Sequence, residues 1–124
     1  MQLTKNFTRK EFDCNDGTEV PKQFYGNLLE LAKNLQTLRD YVNESILITG
    51  SGYRTPQHNA KVGGATESQH LTASAADINA RNYTPKQLAK VIEKLIAEGK
   101  MKQGGIGIYK GFVHYDIRGT KARW

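Results

Sequence analysis

The chain has 124 residues, 38% of them hydrophobic, which is enough apolar material for one core and too little for two. Charged residues make up 24%, so the chain reads as globular rather than disordered, and no stretch approaches the ~20 apolar residues of a membrane-spanning helix. The net charge of +6 favours anionic partners, either nucleic acid or the anionic polymers of a bacterial envelope. The lysines and arginines are scattered, however, and no nucleic-acid motif accompanies them, so no nucleic-acid partner is expected.

The lone cysteine, Cys14, excludes an internal disulfide and every multi-cysteine zinc motif, and is read as a free buried thiol. The opening MQLTKNFTRKEF carries charge but no apolar run, so no signal peptide and a cytoplasmic synthesis are expected. No repeat or low-complexity linker interrupts the chain, and one domain spanning residues 1–124 is expected.

Thr8-Arg9-Lys10-Glu11 has the form of a capping box and predicts a short helix. Residues 21–42 predict the clearest helix. Phe24, Leu28, Leu31, Leu35, Leu38 and Val42 recur by threes and fours on one face, and Pro21 suits the first turn. Residues 46–49 are short, β-branched and bounded by Gly50-Ser51-Gly52, which predicts a strand. A Gly-rich polar stretch runs to about Ser68, and residues 75–80 predict a second strand. Thr84-Pro85 reads as an N-cap with proline in the first turn of another helix. Leu88, Val91, Ile92, Leu95 and Ile96 give that helix its apolar face, and Gly99 ends it. Residues 106–109 and 112–117 flank Lys110-Gly111 and predict a β-hairpin.

In the last strand side chains alternate between faces, so Val113, Tyr115 and Ile117 share one face, and Phe112, His114 and Asp116 the other. His114 and Asp116 are then roughly 6–7 Å apart, at ~3.3 Å per residue. Upstream, His70 and Asp77 are separated by small residues, Ala73 to Ala76, that permit close backbone packing. Zinc accepts imidazole nitrogen and carboxylate oxygen, and catalytic sites use three such ligands plus water. His70, Asp77 and His114 supply such a set. The residues by themselves equally fit a loop histidine, a capping aspartate and a hydrogen-bonded strand histidine.

Several ordered motifs narrow the choice. They are Ile48-Thr49-Gly50-Ser51-Gly52-Tyr53-Arg54-Thr55-Pro56, His58-Asn59-Ala60-Lys61-Val62-Gly63-Gly64-Ala65, Ser68-Gln69-His70 through Ala75-Ala76-Asp77, Gly104-Gly105-Ile106-Gly107-Ile108-Tyr109, Phe112-Val113-His114-Tyr115-Asp116 and Ala122-Arg123-Trp124. In this order, over residues 7–124, the chain resembles the zinc D-Ala-D-Ala carboxypeptidase and endolysin family, peptidase family M15, in its small phage-type members. The resemblance implies an α+β fold, a small, mainly antiparallel sheet flanked by helices as in Hedgehog and D-Ala-D-Ala peptidase domains, with the metal cleft on the sheet's open face. It implies Zn2+-dependent hydrolysis of peptide bonds in bacterial peptidoglycan, as a carboxypeptidase or an endopeptidase of the endolysin kind.

On that resemblance His70, Asp77 and His114 match the zinc ligands. Arg54 matches an arginine beside the metal that holds a substrate carbonyl or carboxylate; a structural salt bridge is the alternative. Ser68 and Gln69 stand beside a ligand and are candidates to bond substrate. Tyr109 is a candidate cleft residue, Trp124 caps the core or the cleft wall, and His58 is read as a surface residue. Two departures stand out. The family often has glycine where Ala73 stands. Some members carry a glutamate as general base where this chain has Gly111, and others a His-x-His pair where it has His114-Tyr115-Asp116. Asp116 is therefore taken as the base or as an orienting group. Gly111 also supports an alternative, a non-catalytic zinc-containing module that binds the wall or belongs to a virion. The expected partners are peptidoglycan stem peptides and anionic wall polymers, the expected state is a monomer, and the expected source is a phage or prophage.

Overall fold

A computed structural model describes residues 1–124. In chain order the regular elements are α1 (Tyr25–Val42), β1 (Ile46–Ile48), α2 (Pro56–Lys61), β2 (Ala75–Ala80), α3 (Pro85–Ala97), β3 (Gly105–Ile108), β4 (Val113–Asp116) and β5 (Ala122–Arg123), with 3-10 turns at Arg9–Phe12, Lys22–Phe24 and Gln69–Thr72. The strands form one sheet in the order β1-β2-β4-β3-β5. All neighbours are antiparallel except β3 and β5. The fold is α+β, as expected. No helix is long and apolar enough to cross a membrane.

The periodic stripes are where burial occurs. Leu28, Leu31, Leu35, Leu38 and Val42 of α1 and Leu88, Ile92 and Leu95 of α3 are buried in one cluster with Ile78, Ile106, Val113 and Tyr115 of the sheet. The helices thus cover one sheet face. Side-chain alternation sends Asp77, His114 and Asp116 to the other face.

Several boundaries differ from expectation. α1 begins at Tyr25 because the chain enters through a tighter turn, in which the Phe24 N–H donates to the Pro21 carbonyl at 2.9 Å. Thr84 and Gln87 close the capping box that starts α3, each side chain accepting from the other's backbone N–H at 3.1 and 2.9 Å. The same Thr-Pro signature starts α2, inside the stretch read as a polar loop: Thr55 Oγ1 accepts from the His58 N–H at 3.1 Å and Pro56 opens the helix. The strand β5 was not expected. Two residues carry no periodicity, and its place is fixed from outside by ladder bonds to β3 and by Glu93 of α3, whose carboxylate accepts from Arg123 Nε and Nη2 at 2.7 and 2.8 Å.

Candidate active site

The register of β2 and β4 sets Asp77 directly opposite His114. His70 arrives from the 3-10 turn just before β2. Ser68 caps that turn, its Oγ accepting from the His70 N–H at 3.2 Å. Ala73 then reverses the chain at φ 57, in the left-handed region, and leads it into β2. A residue without Cβ adopts that conformation at no steric cost, whereas Ala73 carries a local backbone strain there.

The reversal brings His70, Asp77 and His114 together, all buried, with their ligand atoms within 4.8 Å of one another. His70 Nε2 and His114 Nδ1 each lie 3.4 Å from Asp77 Oδ1. Ligands about 2.0–2.1 Å from a tetrahedral zinc are about 3.3–3.4 Å from each other, so these spacings fit the ion. The remaining ring nitrogens are occupied. His70 Nδ1 donates to the Gly52 carbonyl at 2.7 Å, and His114 Nε2 donates to Asp116 Oδ2 at 2.6 Å. Each imidazole is thereby held in the tautomer that turns a lone pair toward Asp77.

The electrostatics favour a cation at the same point. Burial would raise the Asp77 carboxyl, but the hydrogen bonds and charges of His114 and His70 outweigh it and hold it well below the usual carboxylate range. Burial would likewise lower His114, and the carboxylates of Asp116 and Asp77 outweigh it and raise its pKa. The cluster attracts positive charge, and a metal ion competes with protons for it.

Asp116 is placed behind this cluster. It has no exposure, and five donors surround it: the Gly105 and Arg118 N–H groups, Arg118 Nε and Nη2, and His114 Nε2. It does not line the cleft, so water on the open face has no path to it. Its geometry is that of an orienting group, the second of the two roles expected for it. Arg54 lines the cleft, yet its nitrogens are turned inward: Nε donates to Ser51 Oγ at 2.9 Å, Nη1 to Asn59 Oδ1 at 3.1 Å, and Nη2 lies 3.6 Å from Asp77 Oδ2. The salt-bridge reading of Arg54 fits this arrangement, because the ionised Asp77 is its closest counter-charge.

A cleft of about 640 Å³ opens over the cluster, and Ser68, Gln69 and Tyr109 all line it. Tyr109 stacks on Phe112 with ring centroids 4.5 Å apart and accepts a hydrogen bond from Trp124 Nε1 at 2.8 Å. Trp124 leans against His114 at 4.9 Å between centroids. Gly107, the other cross-strand neighbour of His114, makes room for that indole, since a Cβ there would strike it.

Sequence reading did not single out Glu67 or Arg118, which also line the cleft. Arg118 continues the alternation of 114 and 116 by two, a signal available in the sequence. Its guanidinium, raised in pKa chiefly by the Asp116 hydrogen bond, lies over Trp124 with Nη1 unengaged. Glu67 had no such signal, because only the loop path brings it to the rim.

A search of curated proteins gives no match. The family model described as Peptidase M15 matches residues 3–116, a span that contains His70, Asp77 and His114 and ends where β4 ends. With most of its length inside that match, this chain belongs to the Peptidase M15 family and is a peptidase.

Proposed function

We propose that this peptidase is a zinc hydrolase of peptidoglycan stem peptides. The observation that carries the metal is the convergence of His70 Nε2, His114 Nδ1 and Asp77 Oδ1, with both remaining ring nitrogens already donating to protein acceptors. Bound zinc would supply Lewis acidity at the scissile carbonyl and a water of lowered pKa. The wall substrate is supported by the ordered motifs and by the net charge of +6, which draws a basic protein toward anionic envelope polymers.

The chain's own groups then divide the remaining work. Asp77 and Asp116 are bound to imidazoles and guanidinium groups, which leaves Glu67, exposed on the cleft wall and free of ion pairs, to take a proton from the attacking water and return it to the leaving amine. Arg118, with Nη1 free, receives a substrate carboxylate, while Arg54 holds Asp77 in place. Tyr109, Phe112 and Trp124 wall one side of the cleft and offer apolar surface to the substrate.

The test is digestion of purified cell walls followed by mass spectrometry of the released muropeptides. The zinc-loaded protein is expected to release fragments cut at one peptide bond. His70→Ala and His114→Ala are expected to lose both zinc and activity, and Glu67→Gln to keep zinc and lose turnover. Full wall hydrolysis by the histidine variants would remove these ligands from the reaction. Zinc binding with no clearing of walls would leave a module that binds the wall without cutting it.

A further inference from the structure

A second group of metal-ligating side chains lies outside the cleft. Cys14, Asp16 and His58 bring a thiol, a carboxylate and an imidazole within 4.8 Å of one another. Three local features assemble them. The turn at residues 14–18 is closed by Cys14 N–H to the Thr18 carbonyl and Gly17 N–H to the Cys14 carbonyl, both 2.9 Å, with Gly17 at φ 95. Asp16 folds back over that turn, its Oδ1 accepting from the Thr18 N–H at 2.9 Å. Thr55 joins the turn to α2, its hydroxyl donating to Asp16 Oδ2 at 2.8 Å while accepting from the His58 N–H. His58 enters the hydrogen-bond network through its backbone, which leaves its ring free to ligate.

We propose that Cys14, Asp16 and His58 form a second metal site, for an ion of the zinc class. The donor chemistry selects the ion. Thiolate with imidazole prefers zinc-like transition metals over calcium or magnesium, which take oxygen ligands. Tetrahedral bonds of about 2.3 Å to sulfur and 2.0–2.2 Å to nitrogen and oxygen place ligand atoms roughly 3.4–3.8 Å apart, inside the 4.8 Å within which all three lie. A nucleophilic role for the same three residues does not fit. Cys14 is only 4% exposed and lines none of the larger cavities, so a substrate carbonyl has no route to its sulfur. An ion reaches the site from the exposed Asp16 side, and the thiol proton leaves to solvent as the metal–sulfur bond forms. The ion would tie the Cys14 turn to α2. From α2, Asn59 reaches Arg54 and through it Asp77, so the site braces the wall of the cleft from behind.

The site is separable from the first by its sulfur, since the chain has one cysteine. The probe is cobalt(II), added to the reduced, metal-free full chain and followed by absorption. A thiolate-to-cobalt charge-transfer band in the near ultraviolet is expected, with a second equivalent of metal bound per chain. Cys14→Ser and His58→Ala are expected to remove the band and the second equivalent. His70→Ala is expected to retain the band while losing the first equivalent, and cobalt should raise its Tm. Circular dichroism of His58→Ala, a half-buried position, shows whether the variant is folded. No charge-transfer band in the folded wild-type chain, or a band that survives in folded His58→Ala, would overturn the proposal.

Discussion

Asp116→Asn is the substitution that separates orientation from coordination. The carboxylate accepts five hydrogen bonds and offers no donor. The amide that replaces it turns one NH2 group toward existing donors in either of its orientations. In one it faces His114 Nε2, where the acceptor now lies at 2.6 Å, and Arg118 Nη2, at 2.8 Å. In the other it faces the Gly105 and Arg118 N–H groups, at 2.9 and 3.1 Å, and Arg118 Nε, at 2.9 Å. The cheapest escape is for His114 to move its proton from Nε2 to Nδ1, the nitrogen that faces Asp77 and the metal position. Zinc must then displace that tautomer. Loss of such an outer partner costs about 10–100-fold in metal affinity, or about 1.4–2.8 kcal/mol. Stability also falls, by about 1–3 kcal/mol, because the Arg118 guanidinium loses its counter-charge in a place with only partial access to water. The assay is competition for zinc against a chromophoric chelator, with a thermal melt of the metal-free protein beside it. A folded Asp116→Asn protein that binds zinc as tightly as the wild type would refute the reasoning, since His114 would not need Asp116 to present Nδ1.

Gly50→Ala should act on the same centre from the opposite side. A Cβ at Gly50 would lie 2.8 Å from Asp77 Cβ and 3.1 Å from its Oδ2, so the carboxylate must shift. Zinc affinity is expected to fall on the order of tenfold, as for lost orienting contacts, and stability by about 1–3 kcal/mol from overpacking, read by chelator competition and by melting. Glu93→Gln addresses the edge strand. The hydrogen bond from Arg123 outweighs burial and lowers the Glu93 carboxyl, so its contribution is fully present above the unfolded value and is lost as pH falls through the lower folded one. The pair is half-exposed, and the variant should be less stable by about 0.2–1 kcal/mol at neutral pH. Melts of both proteins should converge in acid, below the folded carboxyl pKa; a difference that persists there would mean that the ion pair is not its source.

The elements legible in the sequence were those whose burial follows a local period. The stripe from Leu28 to Val42 and the alternation of Val113, Tyr115 and Ile117 state which face is buried before any partner is known, and both faces are buried. The histidines and Asp77 were legible by kind and order, through motifs that span the chain. What required the tertiary structure was every relation set by loop path and register. Asp77 meets His114 because two antiparallel strands pair at one register rather than its neighbour, and a slip of one residue would send Asp77 to the core. Arg54 turned inward because the chain reversal at Ala73 put an ionised Asp77 within its reach. The meeting of Cys14 and Asp16 with His58 depends on a turn and a short helix about forty residues apart in sequence, joined by the Thr55 hydroxyl. Local periodicity fixes which way a side chain points within its own element. Distances between elements follow from how the whole core packs, which no short window of residues contains.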